Sequence, residues 1–174
     1  MKIHFKKNVV VKPTKIYTAA QTPIHLKQQA NKALKEAIEN KTVEELEPSE
    51  PSEWCSQGFF VMKPSGEARQ VVDLSPLKQF IEQPIHPFIP ANELLKNRNP
   101  ESTVYCKLDC VKGYFQIPLD EERKKLTTFL LPSGRYRYLR APMGLSSSSD
   151  EWCKRSDKAL AGIPGVQKLV DDIL

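Results

Sequence analysis

An α+β fold is what this sequence predicts, and three observations predict it. Apolar residues recur at helical spacing early in the chain, and two pairs of short apolar runs flank Pro-Ser-Gly turns in its middle. A serine-rich start then opens a second amphipathic segment before a final apolar run.

Residues 1–20 alternate weakly and contain Pro13, so they read as an extended basic arm with room for one short strand. Thr22 offers a helix N-cap with Pro23 at the first helical position, and Leu26, Ala30, Ala33, Leu34, Ala37 and Ile38 follow at helical spacing to about Asn40. The segment 42–53, with Pro48, Pro51 and five glutamates, reads as a polar connector, so residues 21–53 lead as helix and acidic linker into a unit spanning 54–174.

From Trp54 the texture changes. Residues 58–62 and 68–72 flank Pro64-Ser65-Gly66 and predict a β-hairpin. The proline-rich stretch Pro84 to Pro90 excludes a helix or central strand and reads as an ordered loop before a short helix, Asn92 to Lys96. Val104 to Asp109 is strand-like, and Asp120 can cap a short charged helix through Lys125. Leu126 to Leu131 and Tyr136 to Leu139 predict a second hairpin, with Arg135, Arg137 and Arg140 alternating around it. Ser148 and Glu151 can form a capping box, and Trp152, Ser156 and Ala159 line one face of a helix ending near Gly162. Val166 to Leu174 is an apolar strand interrupted by Asp171-Asp172.

At 174 residues the chain suffices for one domain with a core, or a domain plus an arm. Its apolar runs reach only about five residues, against roughly twenty for a membrane span, and no secretory signal is visible. The expectation is a soluble intracellular chain with no membrane partner. Cys55, Cys106, Cys110 and Cys153 form no CxxC pair and read as reduced thiols. Net charge is +5, but unevenly placed: residues 1–41 carry nine lysines and two acids, whereas 42–53 carry five acids and no base. The basic arm suits a polyanion or an ordinary solvated face.

Two acidic segments lie about sixty residues apart, Asp109 in Lys107-Leu108-Asp109-Cys110 and the doublet Asp171-Asp172. Acids embedded in apolar strand sequence need partners, and divalent cations suit several carboxylates at once. Paired ions sharing carboxylates serve in-line phosphoryl transfer, although a lone Asp at a strand end is more often a cap or turn residue.

The ordered series around these acids is more specific. It contains Trp54-Cys55-Ser56, Val61-Met62-Lys63-Pro64-Ser65-Gly66-Glu67-Ala68-Arg69, Val72-Asp73-Leu74, Lys107-Leu108-Asp109 and Gly113-Tyr114-Phe115-Gln116-Ile117-Pro118-Leu119. Thr127-Thr128-Phe129, Gly134-Arg135-Tyr136, Pro142-Met143-Gly144-Leu145 and Val170-Asp171-Asp172 complete it. Over residues 20–174 this series resembles the fingers and palm of a reverse transcriptase, most closely those of gypsy-type long-terminal-repeat retrotransposons. The resemblance implies a right-hand polymerase fold with fingers and a partial palm: an antiparallel sheet with packed helices.

The resemblance also implies roles. Asp109, Asp171 and Asp172 match the family's catalytic aspartates and would hold two Mg²⁺, with Mn²⁺ able to substitute. The Cys110 carbonyl would complete the second ion's shell. Lys63 and Arg69 match residues that clamp the incoming triphosphate, lysine as a point charge and arginine as a planar fork. Tyr114 matches the ring that excludes a ribose 2′-hydroxyl, and Gln116 and Met143 would line the nucleotide and template pocket. The implied partners are an RNA or DNA template with its primer, and deoxynucleoside triphosphates. The implied location is the cytoplasm or a retroelement particle. Trp54 reads as a packing residue.

Some positions depart from the family pattern. Leu169 replaces the usual aromatic before the doublet, Met143 the usual Phe, and Lys78 the usual Asn after Asp73. Ser147 to Cys153 replaces Asn-Ala-Pro-Ala-Thr-Phe-Gln, with Trp152 at the Phe position. Only Ile173 and Leu174 follow the doublet, so the expectation is a chain cut within the catalytic hairpin. The returning strand, thumb and later domains would be absent, the last strand unpaired, and independent activity weak or lost. The alternative is a non-catalytic, nucleic-acid-binding remnant or a domesticated or decayed retroelement product.

Overall fold

Short apolar runs bounded by turn residues fold into strands throughout the computed structural model, which describes residues 1–87, 89–96 and 99–174, and of Leu95 the backbone alone. The strands are β1 (Val43–Glu45), β2 (Ser56–Met62), β3 (Ala68–Asp73), β4 (Leu108–Asp109), β5 (Thr128–Leu131), β6 (Gly134–Tyr138), β7 (Lys168–Leu169) and β8 (Asp172–Ile173). Five of them form one sheet in the order β1-β6-β5-β2-β3, and the rest a second in the order β4-β8-β7. The helices are α1 (Lys27–Glu39), α2 (Ser75–Lys78), α3 (Ala91–Lys96), α4 (Glu121–Lys124) and α5 (Ser146–Leu160). Phe88, within the predicted Pro84–Pro90 loop, lies outside the described residues.

The β2–β3 hairpin pairs antiparallel from Gln57 opposite Asp73 to Met62 opposite Ala68, around a turn that bonds the Gly66 amide to the Lys63 carbonyl at 2.9 Å. β5 and β6 pair antiparallel, from Thr128 opposite Arg137 to Leu131 opposite Gly134. The sheet is not wholly antiparallel, because β2 runs parallel to β5. Those two strands lie close: a Cβ added at Gly58 would meet Leu131 and Phe129 side chains at 2.9 Å, so glycine is required there. Phe129 is fully buried at the centre, with Tyr136 and Tyr138 rings 5.9 and 5.2 Å away. Around it Leu34, Val43, Trp54, Val72, Leu74, Leu77, Leu126 and Leu131 belong to the same main core. Trp54 is a packing residue, edge-on to Phe80 at 5.9 Å.

α1 is amphipathic and buries Ala30 and Leu34 against β3 and β1. It does not start from a Thr22 cap. A 3₁₀ turn at Ile24–Leu26 precedes it, closed by the Leu26 amide on the Pro23 carbonyl at 2.9 Å. The N-terminal arm is bound to the body: Ile3 is fully buried, Phe5 bridges to Ile81, and Lys15 bridges to Cys55. Apolar residues of the arm thus find a seat beside Leu77 and Ile81, which its basic composition obscures.

The acidic connector holds a strand. β1 pairs with β6, placing Glu44 opposite Arg137, while Val43 and Leu46 are buried. Arg137 bonds Glu44 and Glu50, and Arg135 donates to the carbonyls of Glu47, Pro48 and Glu50 and to Ser52 Oγ. The hairpin arginines therefore hold the acidic loop. The predicted capping box at Ser148 does not form, because the N-cap of α5 is Leu145, three residues earlier, which places Ser148 Oγ in the interior with no hydrogen-bond partner among the described residues. Among the described residues, no helix is long and apolar enough to cross a membrane.

Candidate functional site

β4, β7 and β8 bring the acidic segments together. Leu108 pairs with Ile173 and Asp109 with Asp172, while Asp172 also pairs with Leu169 across the hairpin. Asp171 lies in the two-residue turn, and its carbonyl accepts the Cys110 amide at 3.0 Å. The doublet is therefore not on an unpaired strand. Because β7 ends at Leu169, Val170 and Asp171 suffice to reverse the chain. Asp172 and Ile173 then return as β8, and reciprocal Gln167–Leu174 backbone bonds of 2.8 Å close the hairpin. Val170 sits at φ +59°, a left-handed conformation that is costly for a β-branched residue.

A small second core supports this sheet: Ile117, Ala141, Trp152 and Cys153, with Met1, Cys110, Tyr114 and Val170 packed against it. From α5, Trp152 Nε1–H donates to the Val170 carbonyl at 2.9 Å. Lys168 Nζ reaches back to Asp157 Oδ1 at 2.8 Å, Ser156 Oγ at 2.8 Å and the Cys153 carbonyl at 3.2 Å. Asp157 is also met by His86 Nε2 at 2.6 Å. Burial pushes the Asp157 carboxyl up, but the hydrogen bonds from Lys168 and His86 outweigh it and hold the group below its ordinary value.

The carboxylates attract a cation. Lys107 Nζ lies 2.9 Å from Asp172 Oδ2, and its pKa is raised by that bond and charge, then more weakly by Asp109 and Asp171. Three carboxylates thus act on one ammonium group beside β4. Among the described residues no three His, Cys, Asp or Glu side chains close into a ready coordination cluster. The donors nevertheless fit a hard divalent ion in type, since all are oxygens, and Asp109 and Asp172 are register partners on adjacent strands.

After β4, Lys112 at φ +51° turns the chain into a 3₁₀ turn, Gly113–Gln116. Tyr114 is half-buried there, its ring 6.4 Å from that of Trp152 and its hydroxyl 3.5 Å from Ser149 Oγ. Gln116 donates to the Val111 carbonyl at 3.0 Å. Met143 is 53% exposed on the loop after β6, whose Gly144 rests against Val72 and Leu74. Lys63 and Arg69 lie in the other sheet, on the β2–β3 hairpin. Lys63 pairs with Glu67 at 2.8 Å, and Arg69 is exposed opposite Val61. Sequence reading missed Lys107, Lys168 and the indole N–H of Trp152. A lysine two residues before Asp109 was visible, but the other two act through tertiary contacts that spacing does not reveal. A cavity of about 630 Å³ opens between the arm, residues 84–86 and the start of α5, and none of the three aspartates lines it.

Residues 61–174 match the family model described as reverse transcriptase (RNA-dependent DNA polymerase). The chain is 28% identical over its whole length to the genome polyprotein of Petunia vein clearing virus (isolate Shepherd), of which it covers 8%. It is 30% identical over 80% of its length to the putative enzymatic polyprotein of Cassava vein mosaic virus, covering 21% of that protein. A transposon Tf2-3 polyprotein of Schizosaccharomyces pombe is 34% identical over 52% of the chain, which covers 7% of it. The chain thus spans a fifth or less of these relatives, apart from a marginally larger share of the cassava virus protein. Among solved structures, the Prototype Foamy Virus protease-reverse transcriptase superposes with a TM-score of 0.79 at 21% identity, covering 92% of this chain and 21% of that one. A foamy viral protease-reverse transcriptase in complex with RNA/DNA hybrid gives 0.76 at 17% identity, covering 98% and 23%.

Proposed function

Because the chain belongs to the reverse transcriptase family, we propose that it carries the metal- and nucleotide-binding part of an RNA-directed DNA polymerase within a retroelement polyprotein of gypsy type. The observation that carries this reading is the register of Asp109 against Asp172, with Asp171 in the adjoining turn and bonded to Cys110. Asp109, Asp171, Asp172 and the Cys110 carbonyl would hold two Mg²⁺. Bound there, such ions supply a more acidic primer 3′-hydroxyl and neutralise phosphate charge.

The protein's own side chains do the rest. Lys63 and Arg69, on an exposed hairpin, would grip the triphosphate, for which Lys63 must leave Glu67. Tyr114, backed by Trp152, would lie beneath the deoxyribose and leave no room for a 2′-hydroxyl. Gln116 and Met143 would line the nucleotide and template side. The primer 3′-hydroxyl would lose its proton to solvent water as its oxygen bonds the α-phosphorus and the bond from that phosphorus to the α–β bridging oxygen breaks, releasing pyrophosphate.

One observation favours a second reading, a non-catalytic nucleic-acid-binding remnant: Lys107 already neutralises Asp172. Primer extension on an RNA template with Mg²⁺ decides between them. The first reading expects weak incorporation that Asp109→Asn abolishes. Salt-sensitive binding without incorporation, unchanged by Asp109→Asn, supports the second.

A further inference from the structure

Trp152 stands where the family pattern has Phe, and the difference has a consequence. Its buried indole donates Nε1–H to the Val170 carbonyl at 2.9 Å, a bond that no phenylalanine can make. The same ring packs so tightly on Gly113 that an added Cβ would lie 2.8 Å from Cζ2. One side chain therefore touches both the turn that carries Asp171 and the loop that carries Tyr114.

The Val170 carbonyl belongs to the peptide joining Val170 to Asp171. Holding that oxygen fixes the peptide plane on the N-terminal side of Asp171, while the Cys110 amide holds the Asp171 carbonyl on the other at 3.0 Å. Val170 needs such restraint, because φ +59° persists in a β-branched residue only where the surroundings fix it. Lys168 ties β7 to α5 separately, through Cys153, Ser156 and Asp157, so loss of the indole bond leaves the hairpin docked and acts locally.

We infer that Trp152 is the positioning residue of the acidic turn, its indole N–H setting the Val170–Asp171 peptide and thereby the place of the Asp171 carboxylate beside Asp109. The consequence for metal binding rests on the reading proposed above; the restraint on the turn does not.

Trp152→Phe keeps an aromatic ring and removes the donor. Native-state hydrogen exchange should show the Cys110 amide exchanging about tenfold faster, with β2–β3 amides unchanged. Mn²⁺ should bind about 10- to 100-fold more weakly, as when outer partners of metal ligands are lost. Trp54→Phe, which alters the indole against Phe80, should change neither. Should Trp152→Phe fail to fold, benzothienylalanine at position 152 removes the donor at nearly constant shape and is read by the same two measurements. Unchanged Cys110 protection in a folded variant overturns the positioning role, and unchanged Mn²⁺ affinity overturns its reach to the carboxylates. If the parent chain binds no Mn²⁺, the metal reading fails and hydrogen exchange alone decides the restraint.

Discussion

Replacing Gly113 with alanine is expected to destabilise the protein by about 1–3 kcal/mol through overpacking. The new Cβ would fall 2.8 Å from Trp152 Cζ2, 2.9 Å from Cε2 and 3.1 Å from Cη2. Carbon atoms prefer about 3.5–4.0 Å, so the indole must retreat by roughly 0.7 Å or the loop must move. The ring is 7% exposed and packs with Ile117, Ala141 and Cys153, so little space receives it. A retreat away from Val170 would also stretch the 2.9 Å indole bond past useful range, which takes the loss toward the upper figure. The usual gain from Gly→Ala in the unfolded chain, about 0.4–1 kcal/mol, is smaller than this. Urea unfolding reads the difference as a lower midpoint at unchanged slope, and melting should fall by about 2–12 °C. Gly144→Ala is the matched control, since its Cβ stays 3.4 Å from Leu74 Cδ1 and the Val72 carbonyl. Adding Trp152→Phe should make the double loss less than the sum, because the smaller ring relieves the clash. A Gly113→Ala protein with the parental urea midpoint would refute this packing account.

Three further outcomes follow from other parts of the fold. Phe129→Ala, at a fully buried position, should cost about 3–5 kcal/mol, measured by urea unfolding. Arg135→Ala removes donors to three carbonyls and Ser52, at about 1–3 kcal/mol, and should speed cleavage by a Glu-specific protease after Glu53, the connector bonds after Glu47 and Glu50 being blocked by Pro48 and Pro51, while sparing Glu67. Asp157 titrates below its ordinary value of 3.8 when folded, so its links to Lys168 and His86 stabilise the protein above that pH. As pH falls through the folded value the contribution is lost. Its carboxylate is 47% exposed, which limits the effect to under about 1 kcal/mol, and Asp157→Asn should flatten that part of the stability–pH curve.

The hairpin over residues 58–72 was legible because Pro-Ser-Gly between two short apolar runs marks the turn. The acids were legible as a pair because each closes a strand-like run, and the ordered motifs around them led to the family. β1 was hidden because four glutamates surround Val43 and Leu46 in the connector, and only the arginines of β6, about ninety residues later, make a strand favourable there. The helix starts were misread for a similar reason. Thr22 and Ser148 have capping chemistry, but a 3₁₀ turn and an earlier start displaced them from the cap positions. The closed acidic hairpin was missed because its return strand needs only Asp172 and Ile173, paired with residues 108–109 and 168–169 and closed by the Gln167–Leu174 bonds. Trp152 looked like a space-filling replacement for Phe, since a donor's partner cannot be read from spacing.

The most direct test of the central claim, that Asp109, Asp171 and Asp172 form one divalent-cation site, is a Mn²⁺ titration followed by electron paramagnetic resonance. The account predicts saturable binding that Asp109→Asn and Asp171→Asn each weaken at least about tenfold, because every lost carboxylate lowers the ligand charge. Asp73→Asn, at the end of β3 where the carboxylate accepts the Ser75 amide of α2, should leave binding unchanged. Parental Mn²⁺ affinity in folded Asp109→Asn and Asp171→Asn proteins would contradict the account.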